Sequence, residues 1–430
     1  MKSLNLLWCV WLCCIAFPLQ ARDYYVATDG DDTQAGTPDA PFATLSRALS
    51  VVEPGDKVRV RGGTYRVTKE WVMTPLHRGY ARVFDVRVKA TRRRPIVVEG
   101  CRGERPVFDL SAVRYADRRV TVFHVSGDYW HFRNFEVVGT QVGVRGHTQS
   151  ECFRIDGGSH NVCERIDCHD GMAIGFYLVR GAHNLILNCD AHDNYDGYSE
   201  GDACENVDGF GGHMASERCV GNAFRGCRAW NNGDDGFDLI GCRAPFTIED
   251  CWSFRNGCRP HSTAHGGGNG FKSGGYGMSP RPRVPREVPV HAVRRCLAYA
   301  NKGSGFYANH HPGGLLFEHN TACANSVNYN MLNRRSPSEA VNVDGYGHVL
   351  RGNLSYKPRR RDAHLRHIDL SSCRVEHNSF APEPILLTDA DFESVDDSVL
   401  TAPRQSDGSL PDISFLCLSK EGRRKLKGIR

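Results

Sequence analysis

The chain has 430 residues, 40% of them hydrophobic and 24% charged, enough to bury a sizeable core in one large domain or a few smaller ones. Its 45 glycines, six methionines and scarcity of long helical apolar periods exclude a mainly helical protein and favour many short strands joined by turns. A formal net charge of +5 is too mild to imply nucleic acid, and Arg92-Arg93-Arg94 and Arg359-Arg360-Arg361 fit solvated surface.

Residues 1–21 carry Lys2, an apolar run from Leu4 to Phe17 and then Leu19-Gln20-Ala21, the pattern of a secretory signal peptide with a small-residue cleavage site. The run falls short of the ~20 apolar residues that span a bilayer. Leu12-Cys13 also lacks the small residue expected before a lipidated cysteine. Export to the periplasm, the cell surface or the medium is therefore expected, with no membrane span in the mature chain. Of 18 cysteines, Cys9, Cys13 and Cys14 lie in this leader, leaving 15, an odd number that cannot all pair.

The mature chain, 22–430, is expected to be one domain, because a repeat runs through it from about residue 161 onward. Cys189-Asp190-Ala191-His192-Asp193-Asn194, Cys227-Arg228-Ala229-Trp230-Asn231-Asn232, Cys251-Trp252-Ser253-Phe254-Arg255-Asn256, Cys296-Leu297-Ala298-Tyr299-Ala300-Asn301 and Asn320-Thr321-Ala322-Cys323-Ala324-Asn325 share one pattern, Cys/Asn-x-small-x-x-Asn. The unit recurs every roughly two dozen residues, lengthened twice by inserted loops, which is the arithmetic of a solenoid. Each segment suits a short strand. Its asparagine suits a tight turn, because Asn tolerates the left-handed conformation and bonds neighbouring backbone. Stacked coils would align Asn194, Asn232, Asn256, Asn301 and Asn325 in one ladder, and Cys189, Cys227, Cys251 and Cys296 in one inward column of small hydrophobes. Cys204, Cys219, Cys242 and Cys258 fall outside that column and could pair, in a connectivity that sequence does not assign.

A second column follows each asparagine: Asp208-Gly209-Phe210, Asp235-Gly236-Phe237, Asn269-Gly270-Phe271 and Ser304-Gly305-Phe306. The rings belong inside and the residues flanking Gly-Phe outside, because side chains alternate along a strand. Equivalent positions on successive coils of a parallel β-helix lie about 4.8 Å apart, so register becomes distance. Asp208 then stacks with Asp235, and Asp238 with Lys272. Three carboxylates, Asp234, Asp235 and Asp238, share one turn and strand, and a fourth arrives from the coil below. Such a group needs a cation, or pKa values raised enough to keep some of it protonated. Carboxylate-rich oxygen ligation with room for water selects Ca²⁺ over Mg²⁺ and disfavours zinc. An ordinary polar Asp-Asp-Gly turn is the plainer alternative for the tripeptide alone.

Lys272 is the cation placed directly above this cluster. Its plain role is a salt bridge. A divalent ion that consumes the aspartate charge would reverse the local field, lower the lysine pKa and make the amine a usable general base. These parts suggest β-elimination on a uronic acid polymer: the metal acidifies the C5 proton and Lys272 removes it.

The chain resembles family 9 polysaccharide lyases, the pectate lyases. The resemblance rests on Asn222 to Asp238, Gly268 to Gly275, the opening from Tyr24-Tyr25-Val26 to Arg61-Gly62-Gly63-Thr64-Tyr65, and the closing run from Ala402-Pro403-Arg404-Gln405 to Leu410-Pro411. It implies a right-handed parallel β-helix of about ten coils with a helical N-terminal cap at about 40–55, Leu45, Ala48 and Leu49 lining its apolar face. An insertion at about 276–291 and a closing segment at about 360–430 complete the expected layout. The resemblance further implies Asp208, Asp234, Asp235 and Asp238 as Ca²⁺ ligands, the Leu239 carbonyl as a further ligand, and Lys272 as Brønsted base. Asp202 and Glu205, in a loop-rich stretch, could add a ligand. The implied partner is an acidic plant cell-wall polysaccharide, polygalacturonate first and rhamnogalacturonan as alternative, handled by a monomer.

A polyanionic substrate calls for cations near its groove, and Arg243, Arg259, Arg281, Arg283 and Arg286 follow the strands that carry the site. His265, His310 and His311 fit turn or surface positions better than ligand roles. Two other classes compete: a β-helical glycoside hydrolase with paired carboxylates, and a non-catalytic β-helix that binds Ca²⁺ for stability.

Overall fold

A computed structural model of the chain describes residues 21–146, 149–199, 206–257, 267–278 and 284–427. The expected signal peptide, apart from Ala21, lies outside the described residues, as do Asp202, Cys204, Glu205, Cys258 and His265. Almost every strand pairs in parallel with its counterpart on the next coil, and the structure is the parallel β-helix expected. An 11-stranded sheet forms one face, and a 20-stranded sheet bends round the rest. Apart from the antiparallel Thr74–His77 strand at its edge, the strands of the face run parallel from Tyr80–Val86 to Leu365–Arg366. Among the described residues there are ten of them, matching the about ten coils expected.

The register is the one that the Gly-Phe pattern requires. Phe210 pairs with Phe237, Phe237 with Phe271 and Phe271 with Phe306, and the same ladder extends back through Phe176 and Phe153 to Phe123. These rings are fully buried and stacked, with centroids 4.8 Å apart for Phe210 and Phe237 and 4.9 Å for Phe237 and Phe271. Each such ring contributes roughly 1.5–3 kcal/mol through burial and locks one coil onto the next.

The asparagine ladder is present, but for a different physical reason from the one expected. The left-handed residue of each turn is the one before the asparagine: Asp193, Asn231, Arg255, Ala300 and Ala324, with φ between 52° and 57°. The ladder asparagines are buried instead. Asn256 Nδ2 donates to Asn301 Oδ1 at 3.1 Å and to the Ala229 carbonyl, while its Oδ1 accepts from Asn232 Nδ2 at 3.1 Å. A carboxamide, which donates and accepts at once, is the group that can repeat this bond at every coil. Cys189, Cys227, Cys251 and Cys296 are buried and free, and so are Cys219 and Cys242.

The N-terminal helix, Leu45–Val51, begins where Thr44 accepts a bond from the Arg47 amide, and it buries Leu45, Ala48 and Leu49 as expected. The last part of the chain does more than close the final coil. It returns along the outside of the 20-stranded sheet, where Leu387, Phe392, Leu400, Phe415 and Leu418 pack against Trp230, Phe254, Leu297 and Tyr356. Arg404 and Arg228 both clasp Asp190 there, and Arg228 also donates to the Leu400 and Ala402 carbonyls. His310 and His311, expected at a turn or the surface, are buried.

Candidate active site and metal centre

One outward column of the 11-stranded face runs, in register, through Asp85, His124, Arg154, Tyr177, Gly211, Asp238, Lys272, Tyr307, Asn330 and Arg366. Gly211 opens its floor: a Cβ there would lie 2.7 Å from the Tyr177 ring. Beside this opening, Asp208 enters on one coil and Asp234 and Asp235 on the next. The four aspartates and Lys272 thus meet on three consecutive coils, and they line one cleft of about 590 Å³ together with Gln149, Ile174, Tyr177, Asn206, His213, Ile240, Gly267, Asn269 and Tyr307.

Backbone donors position the carboxylates. Asp234 accepts from the Gly267 amide at 2.5 Å and the Asn206 amide at 3.1 Å. Asp235 Oδ1 accepts from the Asn269 amide and side chain at 2.6 and 2.8 Å, and Asp238 Oδ1 accepts from the Ile240 amide at 2.7 Å. A Cβ on Gly267 would sit 3.0 Å from Asp234 Oδ1 and 3.2 Å from Asp235 Oδ1, so glycine keeps the approach to both carboxylates clear. Donor oxygens of Asp208, Asp234 and Asp235 lie within 4.8 Å of one another, and Asp235 Oδ2 is buried without a hydrogen-bond partner. Oxygen donors this close, one of them facing only the Lys272 ammonium, suit a hard cation.

The electrostatics agree. Burial, reinforced by the charges of Asp234, Asp238 and Asp235, pushes Asp208 well above the usual carboxylate range. Burial and the charge of Asp234 lift Asp235 to about 7. Asp238 is buried too, but Lys272 and His213 outweigh that burial and hold it well below the usual range. Lys272 Nζ donates to Asp238 Oδ2 at 3.0 Å and lies 3.2 Å from Asp235 Oδ2. Burial works against its charge, yet Asp238, Asp235, Asp234 and Asp208 prevail and keep the ammonium well above lysine's ordinary pKa.

The structure therefore brings together Asp208, Asp234, Asp235, Asp238 and Lys272. Leu239 follows directly, its side chain buried in the core and its carbonyl accepting from the Cys242 amide at 3.1 Å. Arg243 reaches Glu217 at 3.2 Å, Arg286 is exposed, and neither lines the cleft. Arg259, Arg281 and Arg283 lie outside the described residues. Sequence reasoning missed Tyr177 and His213, which bond each other at 3.2 Å, His213 Nε2 standing 3.5 Å from Asp238. Both carried a signal. Gly175-Phe176-Tyr177 repeats the Gly-Phe pattern one coil earlier, and His213 is the next outward position after Gly211.

Residues 24–348 match the family model described as Pel9A-like, right handed beta helix region. Pectate lyase L of Dickeya dadantii (strain 3937) is 32% identical over 410 residues, covering 94% of this chain and 85% of that protein. Pectate lyase PEL9 of Emericella nidulans is 29% identical, covering 95% of each. A solved rhamnogalacturonan lyase superposes with a TM-score of 0.90 at 44% identity, covering 95% of this chain and 99% of that one. The pectate lyase Pel9A superposes with a TM-score of 0.72 at 30% identity, covering 93% and 89%.

Proposed function

We propose, for a chain that belongs to the Pel9A-like right-handed β-helix family and is a polysaccharide lyase, that it cleaves a pectic backbone by Ca²⁺-dependent β-elimination. The observation that carries this reading is the lysine at 3.0 Å from Asp238 and 3.2 Å from Asp235, set among four carboxylates. Asp208, Asp234, Asp235 and Asp238 would hold the ion, and the Leu239 carbonyl, which has two lone pairs, could join them. When bound, Ca²⁺ supplies positive charge to the substrate carboxylate and to the aspartates.

The chain's own residues do the rest. Asp238 holds Lys272 Nζ at the floor of the cleft, on the side left open by Gly211. With the aspartate charge neutralised, the desolvation of this buried amine favours its neutral form, which accepts the C5 proton of a uronate. The C5–H pair forms the C4=C5 double bond, the C4–O bond breaks, and the departing oxygen takes a proton to become the new chain end. His213, bonded to Tyr177, stands 3.5 Å from Asp238 Oδ2, the oxygen that also accepts from Lys272. No water attacks, so the product is an unsaturated uronide.

Rhamnogalacturonan is the substrate we favour over polygalacturonate. Identity to the rhamnogalacturonan lyase is 44%, against 32% to pectate lyase L. Among the described residues of the cleft, Lys272 is the lone Lys or Arg, beside Tyr177, Tyr307, Ile174 and Ile240. A polymer charged at every sugar calls for a run of cations along its groove. A backbone in which neutral rhamnose alternates with galacturonate needs fewer and can set its neutral sugars against aromatic and aliphatic side chains. The enzyme would act outside the cell as a monomer, exported by residues 1–21. No helix among the described residues is long and apolar enough to cross a membrane.

Ultraviolet absorbance of a 4,5-unsaturated uronide, followed on both polymers with and without chelator, tests the reading. Absorbing product from rhamnogalacturonan that chelation abolishes is expected. Reducing ends without absorbance would replace elimination with hydrolysis, and faster cleavage of polygalacturonate would reverse the substrate preference.

A further inference from the structure

The 20-stranded sheet carries a second cluster of metal-ligating side chains. Asp167 and His169 point the same way from the Val162–His169 strand, being two residues apart. His192, on the parallel Asp190–His192 strand of the next coil, stands directly opposite His169, and the two rings stack at 4.7 Å. One donor atom from each of the three lies within 4.8 Å of the others. All three side chains are more than four-fifths buried, with 18%, 18% and 15% exposure.

The contacts separate the two nitrogens of each ring. His169 Nδ1 is hydrogen-bonded to Asp170 at 2.7 Å and His192 Nδ1 to Asp193 at 2.7 Å. Each of these partners is the next residue in the chain, turned back by a left-handed φ of 51° and 53°. Carboxylates face both nitrogens of each ring and favour its charged form, lifting His192 to about 9 against the opposing effect of burial, so an ion bound at Nε2 has to displace a proton from each ring while the Nδ1 partners orient it. The Nε2 atoms meet carboxylate oxygens at ion-pair distance. His192 Nε2 is 3.2 Å from Asp167 Oδ1, a buried oxygen that accepts no hydrogen bond, and His169 Nε2 is 3.5 Å from Glu136 Oε2. Two ligands on one tetrahedral zinc ion lie about 3.3 Å apart, given metal–ligand bonds of about 2.0–2.1 Å, so the 3.2 Å separation already suits a shared ion.

We infer that Asp167, His169 and His192 form a binding site for one divalent transition ion of the zinc class, stapling two successive coils. Two imidazoles and a carboxylate are the donor set such ions take, in contrast to the all-oxygen cleft. The surrounding charge suits a dication: Glu136, Asp170 and Asp193 add to Asp167, opposed by Arg105, which contacts Glu136 and lies 3.7 Å from Asp167 Oδ2. Asn231 donates to Asp193 at 2.9 Å and steadies the outer shell. The alternative is a ladder of imidazolium ions paired with these carboxylates, which would bind no metal.

The test uses the full mature chain, stripped of metal and then kept in excess Ca²⁺ so that the aspartate cleft is not the sink. Zn²⁺ is titrated by calorimetry and Co²⁺ by its visible absorption, with the melting temperature followed in parallel. One equivalent of Zn²⁺, a rise of several degrees in melting temperature and a Co²⁺ band typical of low coordination are expected. His192→Gln and Asp167→Asn, altering different donors, should each weaken Zn²⁺ by at least about tenfold while lyase turnover persists. His213→Gln should leave Zn²⁺ affinity unchanged. Absence of Zn²⁺ binding by the wild-type chain would overturn the site whether or not the variants fold. Binding that survives both substitutions, or that disappears with His213→Gln, would overturn it as well.

Discussion

Lys272 Nζ lies 3.0 Å from the Asp238 carboxylate, and the two residues occupy the same rung of neighbouring coils. The bond is a consequence of register, since a one-residue slip would turn Lys272 into the core and Phe271 out into the cleft.

Lys272→Ala should lower turnover at least about a thousandfold, within the range that a positioned base contributes. Its Ca²⁺ affinity should hold or rise, because a cation that competes for Asp235 and Asp238 has gone. Initial rates of unsaturated product and a Ca²⁺ titration of the same preparation check this. Normal turnover would remove Lys272 from the chemistry.

In chelator, the contribution of the aspartate cluster to stability should fall as pH rises. Asp208 and Asp235 sit above their unfolded values, Asp235 at about 7. The contribution of such groups is fully present below their unfolded pKa near 4 and is lost as pH climbs through the folded value. The stabilisation by added Ca²⁺ should therefore grow from pH 4 to above pH 7. Melting curves with and without Ca²⁺ across that range would show it, and an increment independent of pH would contradict the shared buried charge.

Acid should destabilise the far end of the same face through its histidines. His311 accepts from the Gly275 amide at Nδ1 and contacts the Pro289 carbonyl at Nε2, an arrangement that requires the neutral ring. Burial lowers it to about 4, and lowers His348 to about 3. Folded values depressed below the ordinary 6.5 mean that the stability is complete above about pH 6.5 and is lost on descending towards 4 and then 3. The His311 shift alone amounts to on the order of 3 kcal/mol. His311→Gln should flatten the acid limb of the denaturant midpoint plotted against pH.

Asn256→Ala should cost about 2–4 kcal/mol without touching the cleft. It removes the donor to Ala229 and Asn301, and it takes the shared acceptor from the Asn232 amide and from one of the two Asn232 Nδ2 bonds, all in a buried turn. Urea unfolding would measure the loss, and Asn256→Asp should not rescue it, because a carboxylate cannot donate.

Much of the site was legible before any coordinates. Asp208, Asp235, Asp238 and Lys272 were paired by counting from Gly-Phe, and those pairs are the observed ones. The asparagines were found for the wrong reason, since the pattern marks a position and not the bond that uses it. Tyr177 was passed over although it follows the same Gly-Phe mark, and Asp167, His169 and His192 showed no familiar spacing because the chain places 22 residues between two rings that stack.

By itself, then, the sequence determined the solenoid, its inside and outside, and the stacking of acids beneath a lysine, because in a parallel coil one-dimensional periodicity maps directly onto spacing in space. Only the tertiary structure decided the rest: that His169 Nε2 faces Glu136 while His192 Nε2 faces Asp167, that the final residues return to clasp Asp190, and that Lys272 lies within reach of both Asp235 and Asp238. Those depend on side-chain torsions and on contacts between segments 214 residues apart, which no local repeat encodes.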